Sequence, residues 1–189
     1  MIIERGLLAT IFMTAAIGFS GFANAFETEI GEEQIAEAVS YGKKYKGAKV
    51  FKSGVVKAAC FGKYPESDGG LVMSKYVELA IVSAMNSKKE KETTSDAIKE
   101  IQSAKSFKVI VLVSEKGIQT PGEVQITIKQ GMSNILPQKT EFGRKYKDNK
   151  QSIVGVFWYD KIDTDAKTAI IVKTKEQERK YKIDFSDIK

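Results

Sequence analysis

The spacing of apolar residues changes at Phe107, and this change constrains the fold more than any other feature of the sequence. Before Phe107, apolar residues recur three and four positions apart, which is the spacing of one helix face. After it, they alternate or form short continuous runs between turn residues, which is the pattern of strands. We therefore expect an α+β fold, with helices in the N-terminal half and an antiparallel, β-sandwich-like C-terminal half.

Helical spacing of apolar residues occurs in three segments of the N-terminal half. The first begins with two glutamates and ends with lysines, which suits both ends of the helix dipole. The second could also be a buried strand, but its length, its alanines and the possible N-cap Ser74 favour a helix. The third follows Thr94 or Ser95, either of which can cap it. The predicted helices are residues 32–46, 74–87 and 96–104.

Strand patterns lie mainly after Phe107, with one earlier exception. Residues 49–61 are β-branched and aromatic, which predicts a strand or strand pair with a bulge at Gly54. Residues 62–70 are predicted to be a loop, and residues 134–149 a long loop with a short strand near Pro137. The other predicted strands are residues 108–114, 123–129, 152–160, 168–174 and 179–185, of which the last two form a hairpin.

The first 25 residues have the organisation of a secretory signal peptide. An apolar run over residues 7–23 contains no charge, and Ala-Asn-Ala at 23–25 matches the small residues that signal peptidase requires. The alternative is an uncleaved membrane anchor, because the run approaches the roughly 20 residues of a spanning helix. We expect cleavage before Phe26, which leaves residues 26–189 as a single soluble α+β domain in the periplasm or outside the cell.

The formal net charge of +6 comes almost entirely from lysine. Proteins that read nucleic acids favour the planar fork of arginine, and only Arg144 and Arg179 follow the leader. Dispersed lysines indicate a solvated surface first, and attraction to an anionic lipid or polymer second. We expect no nucleic-acid partner. The lysine-rich segments 43–46 and 88–91 are candidates for attachment to an anionic surface, although glutamates interleave the second.

Histidine is absent from the sequence, and cysteine occurs once, as Cys60. Ser-His-Asp and Cys-His nucleophiles cannot form, nor can metal sites that depend on His or on several Cys. A single cysteine also forms no intramolecular disulfide. The apolar sequence around Cys60 predicts a buried, inert thiol. We predict no metal and no cofactor.

Two short motifs could still carry chemistry. Ser40 and Lys43 match the S-x-x-K motif of penicillin-recognising enzymes, but its companion motifs do not follow, and a surface helix is the preferred interpretation. Asp160, Asp163 and Asp165 could attract a hard cation. That run lacks the glycine and distant glutamate of an EF-hand, and aspartate favours turns for local reasons, so we predict a turn.

A pair of carboxylates could hydrolyse glycosides without histidine. Sugar sites usually add a stacking aromatic, yet the only tryptophan, Trp158, lies in residues 152–160, which are apolar on both faces and predict a central, buried strand. No glutamate has the apolar context that raises the pKa of a general acid. We therefore expect a non-catalytic exported module that binds an envelope protein or an anionic surface, with a His-independent, glycosidase-type hydrolase as the alternative. No catalytic, cofactor-binding or metal-ligating residue is assigned.

Overall fold

The structure is a computed structural model that describes residue 26 and residues 28–113, 118–146 and 150–189. The predicted signal peptide, residues 1–25, lies outside the described residues. Helices lie mainly in the N-terminal half and strands in the C-terminal half, where they form two antiparallel sheets, so the predicted α+β fold is confirmed. Within the described ranges, no helix is long and apolar enough to cross a membrane.

The secondary structure comprises α-helices and strands joined by short 3₁₀ turns. The helices are α1 (Glu32–Lys44), α2 (Gly54–Ala58), α3 (Lys75–Lys88) and α4 (Ser95–Ser103). The strands are β1 (Cys60–Gly62), β2 (Gly69–Met73), β3 (Ser106–Val113), β4 (Gln125–Gln130), β5 (Ser133–Ile135), β6 (Lys139–Lys145), β7 (Gln151–Trp158), β8 (Thr168–Lys173) and β9 (Glu178–Ile183). One sheet has the order β1-β2-β3-β7-β6, and the other has the order β5-β4-β8-β9.

The three helices predicted from apolar spacing are present as α1, α3 and α4, and two of their predicted caps are confirmed. Ser74 Oγ accepts a hydrogen bond from the backbone N–H of Val77 at 3.2 Å. Thr94 Oγ1 accepts one from the N–H of Ala97 at 3.3 Å. Each cap satisfies one of the backbone donors that the first turn of a helix leaves without a partner.

The prediction of a strand over residues 49–61 is wrong. A 3₁₀ turn (Gly47–Lys52) and α2 occupy most of this segment, and only its end enters β1. Val50 and Val56 are fully buried in the core through these helical turns. Burial of these side chains against the rest of the chain therefore outweighs their preference for strands, which is a weak and context-dependent one.

Two predicted loops contain strands. Residues 134–149 include β6, a seven-residue strand, and β2 begins inside the predicted loop 62–70. Strand β6 is an edge strand that pairs with β7 through its backbone while leaving most of its side chains exposed. Without a buried face, such a strand has no apolar alternation for a sequence pattern to detect.

The two sheets pack face to face around one apolar core. On one flank their edge strands are tied together: the Arg179 guanidinium lies 2.5 Å from the Asp68 carboxylate, and the rings of Phe61 and Tyr181 are 5.1 Å apart. On the other flank the edge strands β5 and β6 are joined by only residues 136–138. The inward-facing core residues include Val109, Val111, Ile153 and Phe157 of the first sheet and Ile126, Ile128, Ile170 and Val172 of the second.

An aromatic cluster closes one end of the sandwich. The Phe26 ring lies 4.9 Å from Phe107 on β3 and 4.6 Å from Phe185 near the C-terminus, measured between centroids. Tyr159, directly after β7, lies 5.2 Å from Phe107. The hydroxyl of Tyr159 accepts a hydrogen bond from the backbone N–H of Lys75 at 3.1 Å, which connects the cluster to the start of α3.

Helix α1 packs closely against α3 at Gly42, where α1 has no side chain. Gly42 is buried, and a Cβ atom at this position would overlap the backbone carbonyl of Ala80 and the Cβ atom of Ser83. The glycine therefore lets the two helix backbones approach closely.

Gly42→Ala should destabilise the protein by roughly 1–3 kcal/mol, because the new methyl group must push α1 away from α3. This loss of stability is expected even though the intrinsic helix propensity of alanine exceeds that of glycine by about 1 kcal/mol. Gly54→Ala in α2 is the matched control, since a Cβ atom there meets nothing within 4 Å. Urea unfolding of both variants measures the difference. Equal stability of the two variants would show that the helices are not in close contact at Gly42.

Candidate functional site

The Ser40–Lys43 pair lies on the exposed part of α1. The ammonium of Lys43 lies 3.6 Å from the carboxylate of Glu92, and both side chains are solvent-exposed. Gly42, within the same motif, packs against α3. The motif thus supplies helix packing and a surface ion pair, and the preferred interpretation of a surface helix agrees with this geometry.

The aspartates after β7 form a turn. The backbone N–H of Asp165 donates to Asp163 Oδ1 at 3.0 Å, and the N–H of Ala166 donates to the Asp163 carbonyl at 3.3 Å. Asp160 lies 3.7 Å from the ammonium of Lys161. Among the described residues, no three His, Cys, Asp or Glu side chains are placed to hold a metal ion. These carboxylates therefore act locally, as aspartate commonly does in turns.

Cys60 lies at the start of β1 and is partly buried. Its thiol donates to the carbonyl of Val56 at 3.2 Å. Burial, with a smaller effect from the negative charge of Glu66, raises the pKa of the Cys60 thiol to about 11. The thiolate is the reactive form of cysteine, so this environment opposes reactivity.

The two lysine-rich segments singled out from the sequence lie at one end of the helical layer. Residues 43–46 begin in the last turn of α1 and residues 88–91 begin in the last turn of α3, and the aliphatic stem of Lys88 packs on Gly47. Cations are favoured at helix C-termini by the dipole. Lys43 also pairs with Glu92, and the ammonium of Lys44 lies 5.5 Å from the centre of the Tyr45 ring.

A different group of lysines covers the outer side of the β5-β4-β8-β9 sheet. Lys129 on β4 and Lys182 on β9 both flank Ala169 on β8, in a single row of the sheet register. Neighbouring strands lie about 4.8 Å apart, so the two lysine backbones are roughly 10 Å apart. Lys180 shares the outer face of β9, and Lys167 immediately precedes β8. We call Lys129, Lys167, Lys180 and Lys182 the lysine face.

The lysine face has little compensating negative charge. Its four side chains line a shallow groove of about 630 Å³ together with Ala169 and a single carboxylate, that of Asp184. Asp184 accepts hydrogen bonds from the N–H and the hydroxyl of Ser186 at 3.0 and 2.7 Å, and these bonds lower its pKa. Within the part of the chain that the structure describes, none of the four lysines forms an ion pair.

The prediction that Trp158 is buried is wrong, although β7 lies inside the sheet and pairs with a strand on each side. Phe157 points into the sandwich and is fully buried, whereas the next side chain, Trp158, is 44% exposed. Alternation along the strand directs these two side chains to opposite faces. Because Trp158 is the last residue of β7, its indole lies at the end of the sheet, between two surface cavities that it helps to line.

One of these cavities is lined by two carboxylates. Glu29 and Asp160 both line the cavity of about 580 Å³ beside Trp158. Both are solvent-exposed, and Asp160 faces the cation of Lys161. A glycosidase acid needs a dry, apolar setting that raises its pKa, so this arrangement favours binding over hydrolysis. The hydrolase alternative stays a prediction.

Comparison of the chain with protein-family models finds no match. Comparison with curated protein sequences and with solved structures also finds none. The function has to be inferred from the chemistry of the chain's own surfaces, since a fold class by itself does not determine function.

Native Cys60 should resist alkylation at pH 8. With a pKa of about 11, roughly one thiol in a thousand is ionised at that pH. An unperturbed thiol would be about a quarter ionised. We expect iodoacetamide to modify the native protein at least about 100-fold more slowly than the same protein unfolded in guanidinium, as measured by intact mass. Equal rates in the two states would refute the burial of this thiol.

Proposed function

We propose that this chain is an exported, non-catalytic binding module that attaches to an anionic membrane surface of the cell envelope through its lysine face. The observation that carries the proposal is the grouping of four lysines without ion-pair partners on one side of a sheet. Like charges held this close repel one another, and a negatively charged partner relieves that repulsion.

A lipid surface suits the shape and composition of the lysine face. The outer side of the sheet is broad, and between the lysine-bearing strands lie two apolar residues, the buried Ala169 and the partly exposed Ile171. Lysine stems can lie along apolar surface while their ammonium groups reach phosphates. Each lysine close to an anionic membrane contributes about 1 kcal/mol. Four lysines therefore support weak, reversible and salt-sensitive attachment, which is typical of a peripheral protein.

The arrangement of carboxylates supports a binding function over the hydrolase alternative. Glu29 and Asp160 are both open to solvent, where a carboxyl group is not kept protonated for acid catalysis. Turnover of cell-wall glycan by the protein would favour the alternative.

Export is supported by the leader sequence and by the place of Phe26 in the fold. Phe26 is the first residue after the predicted cleavage site and is only 2% exposed. A cut beyond it would remove a member of the aromatic cluster, which supports cleavage before this residue. Ala-Asn-Ala at residues 23–25 supplies the small side chains for such a cut.

The protein recovered from the envelope fraction of an expressing bacterium should begin at Phe26. Ala25→Tyr should block this processing, because signal peptidase accepts only small residues at that position. Ser20→Ala, in the apolar run, is the control and should be processed normally. Intact mass and N-terminal sequencing give the result. A wild-type product that still begins at Met1 would indicate a membrane anchor instead.

Neutralising the lysine face should weaken binding to anionic vesicles. For Lys129→Gln with Lys182→Gln we expect a loss of about 2 kcal/mol, or roughly 30-fold in affinity. Lys89→Gln with Lys91→Gln removes the same charge from the end of α3 and is the matched control. Co-sedimentation with phosphatidylglycerol vesicles, against phosphatidylcholine, measures both.

Three outcomes of this experiment would overturn the proposal. Wild-type protein that ignores phosphatidylglycerol, or binds it regardless of salt, would exclude electrostatic attachment to lipid. An equal loss in the two double variants would mean that net charge, and not the lysine face, causes binding. Binding to a soluble polyanion such as polyphosphate, without binding to vesicles, would assign the lysine face to a polymer.

A further inference from the structure

Trp158 is held in an exposed position by the residues on both sides of it. Phe157 is fully buried and Tyr159 is 5% exposed, so neighbouring core contacts fix the backbone on each side of the indole. The Tyr159 hydroxyl also accepts a hydrogen bond from the backbone N–H of Lys75, which fixes its position further. An aromatic ring that is displayed on a rigid support loses little entropy when a ligand covers it.

The exposed indole lies between two neighbouring cavities and lines both of them. On one side is the cavity of about 580 Å³, and on the other is a cavity of about 800 Å³ that lies beside the short strand β5. Trp158 and Lys161 line both of them. We call this combined surface the tryptophan cleft. A surface with a cavity on each side of an aromatic ring suits a chain of several units more than a single small molecule.

The side chains of the tryptophan cleft combine apolar surface with groups that bind hydroxyls. Leu136 adds an exposed apolar side chain beside the indole, and Asn134 and Gln138 add exposed amides. Within the described residues, neither side-chain amide has a hydrogen-bond partner. Each amide offers two donors and an acceptor, which match the paired hydroxyls along the edge of a sugar ring.

The charges of the tryptophan cleft nearly balance, unlike those of the lysine face. Its acidic residues are Glu29, Asp160 and Asp163, and its basic residues are Lys105 and Lys161. Asp160 and Lys161 are already 3.7 Å apart. On a chain with a net charge of +6, such a region has no excess positive charge with which to attract a polyanion. A ligand without net charge suits this near balance better than a polyanion does.

We propose that the tryptophan cleft binds a neutral oligosaccharide, with the indole of Trp158 stacking on the apolar face of a sugar ring. Asn134 and Gln138 pair with ring hydroxyls on one side of the indole, and Glu29 and Lys105 do so on the other. This site is separate in position and chemistry from the lysine face, so either proposal can fail without the other. No covalent step is involved.

The fluorescence of Trp158 reports directly on this site, because the chain has no other tryptophan. We expect at least one neutral oligosaccharide to change the emission saturably. The first candidates are the tetramer of N-acetylglucosamine and the α-linked and β-linked tetramers of glucose, followed by those neutral glycans that bind on an array. Trp158→Ala should weaken binding of that glycan by roughly 30-fold or more on the array, as truncation of a central tryptophan commonly does. Trp158→Phe should retain part of the affinity.

Two control variants separate the tryptophan cleft from other surfaces. Met132→Ala removes the most exposed large apolar side chain, which does not line either cavity, and should leave glycan binding unchanged. Lys129→Gln with Lys182→Gln should also leave it unchanged, while Trp158→Ala should leave vesicle binding intact. A stability measurement on each variant excludes loss of the fold as a cause.

The proposal is overturned if no neutral glycan binds in solution or on the array. It is also overturned if the bound glycans are all anionic and their binding is lost with the lysine face but not with Trp158. Binding of apolar peptides in place of glycans, with the same loss in Trp158→Ala, would assign the cleft to a protein partner and would equally refute it.

Discussion

Burial of the aromatic cluster is the interaction on which the rest of the structure depends. Phe26, Phe107, Tyr159 and Phe185 come from distant parts of the sequence and meet at one end of the sandwich. Each buried aromatic side chain contributes about 1.5–3 kcal/mol. The cluster also sets the position of function-bearing groups, because Tyr159 binds the start of α3 and fixes the exposed indole of the preceding residue, Trp158.

The two candidate surfaces differ because the sheet register and the ends of strands place different residues together. The lysine face arises where alternate positions of β4 and β9 carry lysine on the same side of the sheet. The tryptophan cleft arises where β7 ends and the open flank between β5 and β6 leaves space beside it. One surface concentrates a single charge, and the other balances its charges around an aromatic ring. They therefore suit chemically distinct partners and can act independently.

Where local chemistry determined the structure, the sequence predicted it. Ser74 and Thr94 cap their helices as expected, and the hairpin of β8 and β9 follows its alternating pattern. The predictions failed where contacts between distant segments determine the local structure. Most of residues 49–61 are helical, because the helical turns bury valine side chains in the core. Strand β6 has no buried face, so its sequence shows no alternating pattern. The sequence analysis did not predict the lysine face, although Lys129, Lys180 and Lys182 occupy solvent-facing positions of alternating strands. An alternating pattern shows which side chains face solvent, but it does not show which strands are neighbours in the sheet.

The sequence by itself determined the α+β class, the helix caps, the hairpin and the absence of histidine chemistry, since each depends on residue type and short-range spacing. Only the tertiary structure decided that Gly42 would be a point of contact between helices and that Trp158 would be exposed. The physical reason is the same in each case. Burial and proximity are set by segments far apart along the chain, which meet only when the two sheets and the helical layer pack together.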